Sequence, residues 1–196
     1  MDLKQKELDM GLDMYLTKKL YVQNWDHYEP QHRWQILIIK GGIPYNYGKL
    51  KPCYVEFQVG YWRKANQIHK WFVDTVQGGN DDQKNYWVAQ EQLMDLQAKC
   101  KEVQLVAKLE EGEVTNGYTL EKDSEGELVE KPILQPGKFI VNAEEVAAIL
   151  PTQGGFFFGS EDYDESYMAD IERTIEITAL ALDDQVEGDI YYGSSW

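Results

Sequence analysis

Leu93, Leu96, Cys100, Val103 and Ala107 recur at spacings of three, four, three and four along one stretch of the chain. Apolar residues at that period fall on a single face of an α-helix, and such a face must be covered by another element. Short alternating segments supply the covering layer. In Gly11–Thr17, Leu12, Met14 and Leu16 alternate with Asp13, Tyr15 and Thr17, which is the period of a half-buried strand. Tyr54–Val59 alternates again, and Gln35–Lys40 reads as a short apolar strand stopped by Gly41-Gly42 and Pro44.

Helical patterns run from about Tyr61 to Gln77, ended by Gly78-Gly79-Asn80, over 90–108, and over 163–183, where Asp162 and Glu165 are placed to cap. Asn142-Ala143-Glu144-Glu145 starts a further short helix before Pro151. These elements predict a single α+β domain, a small and mostly antiparallel sheet packed against three main helices, with 155–158 as a further candidate strand. Residues 1–9 read as an N-terminal extension, 10–187 as the domain, and 188–196 as a flexible tail. Asn116-Gly117, Glu125-Gly126 and Pro136-Gly137 mark 110–138 as an exposed hairpin or insertion.

The formal net charge of -15 repels phosphate backbones and anionic membrane surfaces, which argues against general nucleic-acid binding. No apolar run approaches the ~18 residues of a membrane span. The charged N-terminus lacks the apolar core of a signal peptide, and Cys53 and Cys100, the two cysteines, read as buried thiols of a reducing compartment. A cytoplasmic protein is expected. Six Trp and thirteen Tyr exceed what one small core needs, so a homo-oligomer is expected as well.

The run from Tyr61 to Val73 concentrates Trp62, Arg63, Lys64, Asn66, His69 and Trp71. Aromatic faces stack on planar rings, and Arg, Lys and Asn supply donors for phosphates, hydroxyls and base edges. The bland account is equally available: Trp62, Ala65, His69, Phe72 and Val76 share one helical face and can be core, with Arg63, Gln67, Lys70 and Asp74 on a solvated one. Phe156, Phe158, Ser160 and Tyr163 form the second candidate group, flanked by glycines that let a backbone approach a ligand; a buried strand leading into a capped helix is the competing account. Asp162, Asp164 and Glu165 fit helix capping better than a metal site, and His27 and His32 lack a thiolate partner. There is no G-x-S-x-G elbow, Walker loop or G-x-G-x-x-G, so no catalytic residue, metal or cofactor is assigned.

Met10-Gly11-Leu12-Asp13-Met14-Tyr15-Leu16, the run from Trp62 to Val73 and the run from Leu150 to Glu165 together resemble a family of small, mostly uncharacterised proteins encoded by phages and bacterial mobile elements. The resemblance spans nearly the whole chain. Asp81-Asp82-Gln83 departs from the pattern, in which a cysteine often follows the aspartates. The resemblance implies a phage or prophage context and action in the host cytoplasm, where proteins of similar size act as sponges for nucleotide-derived immune signals such as cyclic ADP-ribose isomers. The expectation is a non-catalytic binder whose partner is a nucleotide-derived small molecule. Two alternatives stand beside it: an enzyme using His69 with Asp162, Asp164 or Glu165 on a nucleotide or phosphorylated compound, and a module binding a host protein.

Overall fold

A computed structural model describes residues 11–122, 127–155 and 158–196. Along the chain run β1 (Asp13–Tyr21), a 3-10 turn (Pro30–His32), β2 (Ile39–Lys40), β3 (Ile43–Pro44), β4 (Tyr54–Arg63), α1 (Asn66–Thr75), β5 (Tyr86–Val88), α2 (Gln90–Val106), β6 (Leu109–Lys122), β7 (Leu128–Ile140), α3 (Ala143–Ile149), α4 (Glu165–Ala181) and β8 (Asp189–Ser195). The fold is α+β, with a four-stranded antiparallel sheet in the order β4-β1-β8-β5. The expected N-terminal extension and two of the three consecutive phenylalanines, Phe156 and Phe157, lie outside the described residues.

Alternation in β1 buries Met14, Leu16 and the Lys18 stem, with Leu12 just ahead of the strand. The stripe of α2 packs on the same core: Leu93, Leu96, Cys100 and Val103 are fully buried. Burial pushes the Cys100 thiol up to about 12, so it stays protonated and acts as a small apolar side chain. α4 lies beside α2, and Gln97 donates to Thr178 Oγ1 at 3.3 Å. Lys18 resolves its burial by donating to the carbonyls of Ala181 at 3.2 Å and Asp183 at 2.9 Å, where the C-terminal end of α4 favours a cation. Opposite α4, Gly60 adjoins the bulge where the register shifts between Leu16 and Thr17. A Cβ at this position would run into Ile177, so the strand crosses the helix closely only because residue 60 is glycine.

Several expectations are corrected. The stretch 188–196 is not a flexible tail: Asp189–Ser195 within it form β8, hydrogen-bonded to β1 on one side and β5 on the other. The first helix does not begin at Tyr61. Tyr61, Trp62 and Arg63 continue β4 because they pair with Tyr15, Met14 and Asp13, and the ladder prevails over the helical pattern. Of the expected strand 35–40 only Ile39–Lys40 forms, paired with Ile43–Pro44 outside the main sheet. Of the candidate strand 155–158, Gly155 and Phe158 are not in a strand, the Phe158 N–H donating to the Gly155 carbonyl at 3.1 Å, and the two residues between them lie outside the described ones. Asp164, rather than Asp162, caps α4, accepting from the N–H groups of Ser166 and Tyr167. Cys53 is exposed rather than buried.

Asp170 on α4 accepts a hydrogen bond from Gln67 Nε2 at 3.2 Å, yet burial pushes its carboxyl up to about 6 from an ordinary 3.8. A raised carboxyl pKa means that the folded state holds the proton more tightly than the unfolded chain. This contribution to stability is therefore greatest below the unfolded value and declines as pH rises through about 6. Asp170→Asn keeps an acceptor for Gln67 and removes the titration, so it should stabilise the protein at neutral pH by roughly 2–3 kcal/mol relative to its effect in acid. Urea melts of both proteins at acidic and neutral pH check this; parallel pH dependences would refute it.

Candidate functional site

Where β4 gives way to α1 the backbone turns sharply. Lys64 adopts a φ of 61°, its N–H donates to the Leu12 carbonyl at 2.7 Å, and its own carbonyl accepts from the Asn66 N–H at 2.9 Å. A lysine in the left-handed region is uncommon and costs on the order of 1–2 kcal/mol, so the surrounding structure must hold it there. Two glycines make room. A Cβ on Gly11 would come within 3.0 Å of Lys64 Cε, and one on Gly159 within 2.9 Å of Lys64 Cβ. Two loops thereby close against this one side chain.

Asn66 fastens the second loop. Its buried amide donates to the carbonyls of Phe158 at 3.2 Å and Ser160 at 2.7 Å, while its oxygen accepts from the Gln153 N–H at 3.0 Å. Ser160 Oγ accepts from the Asp162 N–H at 3.0 Å. Tyr163 anchors the far end of the loop, its hydroxyl accepting from the Thr152 N–H at 3.1 Å and its ring lying 5.0 Å from that of Tyr167. Arg63 stands on the same rim with its side chain 39% exposed, 3.9 Å from the Asp13 carboxylate. Asp13 also accepts from the Tyr61 hydroxyl, and that hydrogen bond together with burial and the nearby negative charge raises the Tyr61 pKa.

Beneath the loop a line of polar groups runs from the core out to the surface. His69, fully buried, has Nδ1 2.7 Å from the Tyr192 hydroxyl and Nε2 2.9 Å from Asp81 Oδ2. A carboxylate can only accept, so Nε2 carries the proton and Nδ1 receives the Tyr192 hydroxyl. Burial, with the Asp81 charge second, holds the Tyr192 pKa well above 10.0, keeping the hydroxyl a donor. Trp196 Nε1 completes the line at 3.3 Å from Asp81 Oδ1, and Phe158 meets the His69 ring edge-on at 5.0 Å.

The structure thus divides the sequence candidates. Arg63, Lys64 and Ser160 face solvent at the rim, and Phe158 and Tyr163 belong to the loop. Trp62, Asn66, His69 and Trp71 are buried among protein groups, with Trp62 Nε1 donating to Thr174 Oγ1 at 2.9 Å and the Trp71 ring edge-on to Phe72 at 5.1 Å. Phe156 lies outside the described residues. No protein-family model, curated protein or solved structure matches the chain. The chemistry of the site rests on its own residues.

The sequence reading placed none of Asp81, Tyr192 and Trp196 at the site. The alternation of Ile190, Tyr192 and Ser194 was a signal for a strand, and a strand there would have turned Tyr192 inward. Tyr163, Asp162 and Asp164 line an adjoining cleft of about 360 Å³ with Glu113, Glu161 and Phe139, an acidic surface unsuited to a phosphate. Among the described residues no group of three or more His, Cys, Asp or Glu side chains is arranged to hold a metal ion. Among them also, no helix is long and apolar enough to cross a membrane.

Proposed function

We propose that this protein is a non-catalytic binder that sequesters a phosphate-bearing, nucleotide-derived immune signal of the cyclic ADP-ribose type, as a phage-encoded sponge in the host cytoplasm. The observation that carries this reading is Lys64. Its left-handed backbone, closed in by Gly11 and Gly159, sets an ammonium beside the Arg63 guanidinium at the edge of a loop pinned by Asn66. Strain maintained at a polar surface position is a pointer to function, and an exposed lysine and arginine that outnumber the one carboxylate beside them, Asp13, suit a phosphate. The resemblance to phage proteins supplies the biological context. Asn66, His69 and Trp62 support the rim from inside the core in this reading.

The enzyme alternative is opposed by geometry. His69 and Tyr192 are both fully buried, so a substrate proton does not reach the imidazole or the hydroxyl it accepts from.

Lys64→Gly is the discriminating variant, because glycine accepts the backbone and removes only the side chain. Its stability should stay the same or rise, while affinity for the ligand falls by roughly 1–3 kcal/mol, as should that of Arg63→Ala. Calorimetric titration with cyclic ADP-ribose isomers and cyclic dinucleotides, followed by denaturation and mass analysis of the released compound, reads both affinity and turnover. Unchanged affinity in both variants sinks the site, and altered product sinks the sponge.

A further inference from the structure

From Gln23 to Val59 no residue is buried. The segment is nonetheless ordered by polar contacts: Arg33 donates to the carbonyls of Tyr28 at 2.7 Å and Asp26 at 2.6 Å, Tyr47 to the Ile36 carbonyl at 2.8 Å, and the Tyr45 N–H to the Ile38 carbonyl at 2.8 Å. Much of its apolar surface is open to solvent, with Leu37 at 72%, Ile43 at 71% and Leu50 at 74% exposure. The two-residue ribbon of β2 and β3 is too short to be stable by itself in water. An arm that is ordered and apolar on its outside is a surface built to be covered.

Charge indicates what covers it. Four basic residues and two acidic ones lie between 22 and 53, so the arm is locally positive in a chain of net charge -15. The β6–β7 hairpin has the opposite character: residues 109–140 hold eight acidic and three basic residues. Among the described residues, none between Thr115 and Phe139 is buried, and Leu128, Ile133 and Leu134 are exposed there. Exposed Glu110, Glu111 and Glu113 at its base match Lys40, Lys49 and Lys51 of the arm.

We infer that the arm of one copy packs against the β6–β7 hairpin of a second copy, and that the reciprocal contact closes a two-fold dimer. Apolar side chains of the two projections bury one another while the lysines meet the glutamates, and two identical contacts related by symmetry leave neither projection uncovered. An arm-to-arm pairing would bring like charges together. This assignment stands independently of the ligand reading, because the arm joins β1 and β4 at the end of their ladder opposite Asp13 and Arg63.

Sedimentation of the full chain at low and high salt tests the assignment, with circular dichroism confirming that each variant is folded. The expected result is a species of twice the 22.8 kDa chain mass that dissociates more readily in salt. Both Leu37→Glu with Ile43→Glu on the arm and Ile133→Glu with Leu134→Glu on the hairpin should weaken it by roughly tenfold or more. A monomer at high micromolar concentration overturns the inference. So does an open assembly that grows with concentration, a dimer indifferent to the arm changes, or a dimer lost with the arm changes but kept with the hairpin changes; in the last case the arm covers some other surface.

Discussion

Removing residues 188–196 is expected to abolish cooperative folding. β8 lies between β1 and β5, so its loss strips β1 of a hydrogen-bonded neighbour along seven residue pairs and leaves β5 with no sheet to join. It also takes Ile190 and Tyr192 out of the core, and the Tyr192 ring stacks on Phe72 at 3.8 Å. Deleting two large core side chains costs on the order of 2–5 kcal/mol each, and together these make up much of the roughly 5–15 kcal/mol that holds a typical domain. His69 would lose the tyrosine hydroxyl it accepts and keep a buried, unpaired nitrogen. Near-ultraviolet circular dichroism and a thermal scan of the truncated chain read the outcome; a sharp transition near that of the intact protein would disprove the role given to β8.

Trp62→Ala should be the most damaging single substitution, at about 3–5 kcal/mol, with Trp62→Phe recovering much of the loss. The indole is fully buried at the end of β4, meets Phe72 at an angle of 60°, and donates to Thr174 Oγ1, which itself donates to the Asp170 carbonyl at 2.6 Å. Removing it opens a cavity beneath the Arg63–Lys64 turn and takes one partner from Thr174. Denaturant titration gives the energy directly. A loss below about 1 kcal/mol would place Trp62 outside the load of the core and return it to the rank of a ligand residue.

Where the sequence was legible, the signal was local and periodic. The α2 stripe and the alternation of β1 each follow from a repeat that sterics convert into one buried face, and Leu93, Leu96, Met14 and Leu16 are buried accordingly. β8 was obscured for the opposite reason: its alternation is brief, its pairing partners lie far earlier in the chain, and Gly188, Gly193, Ser194 and Ser195 look like tail composition when seen alone. At the candidate site, residue types drew attention to the right segment but could not tell rim from interior. Asn66 and His69 look like ligand groups in sequence, and only the return of the 153–160 loop and of β8 gives their polar atoms partners inside the protein. Lys64 carries no sequence mark of its left-handed backbone, since that conformation comes from the Leu12 carbonyl and two distant glycines.

The place of β8 in the sheet sets a timetable for synthesis. β1 leaves the ribosome about 170 residues ahead of the strand that must lie against it. At roughly 5–20 residues per second the nascent chain spends on the order of 10–30 s with that edge of β1 and its row of Leu12, Met14 and Leu16 lacking their final neighbour. Folding is therefore gated by the arrival of the last strand, and the interval before it is when this chain most needs the protection of a chaperone.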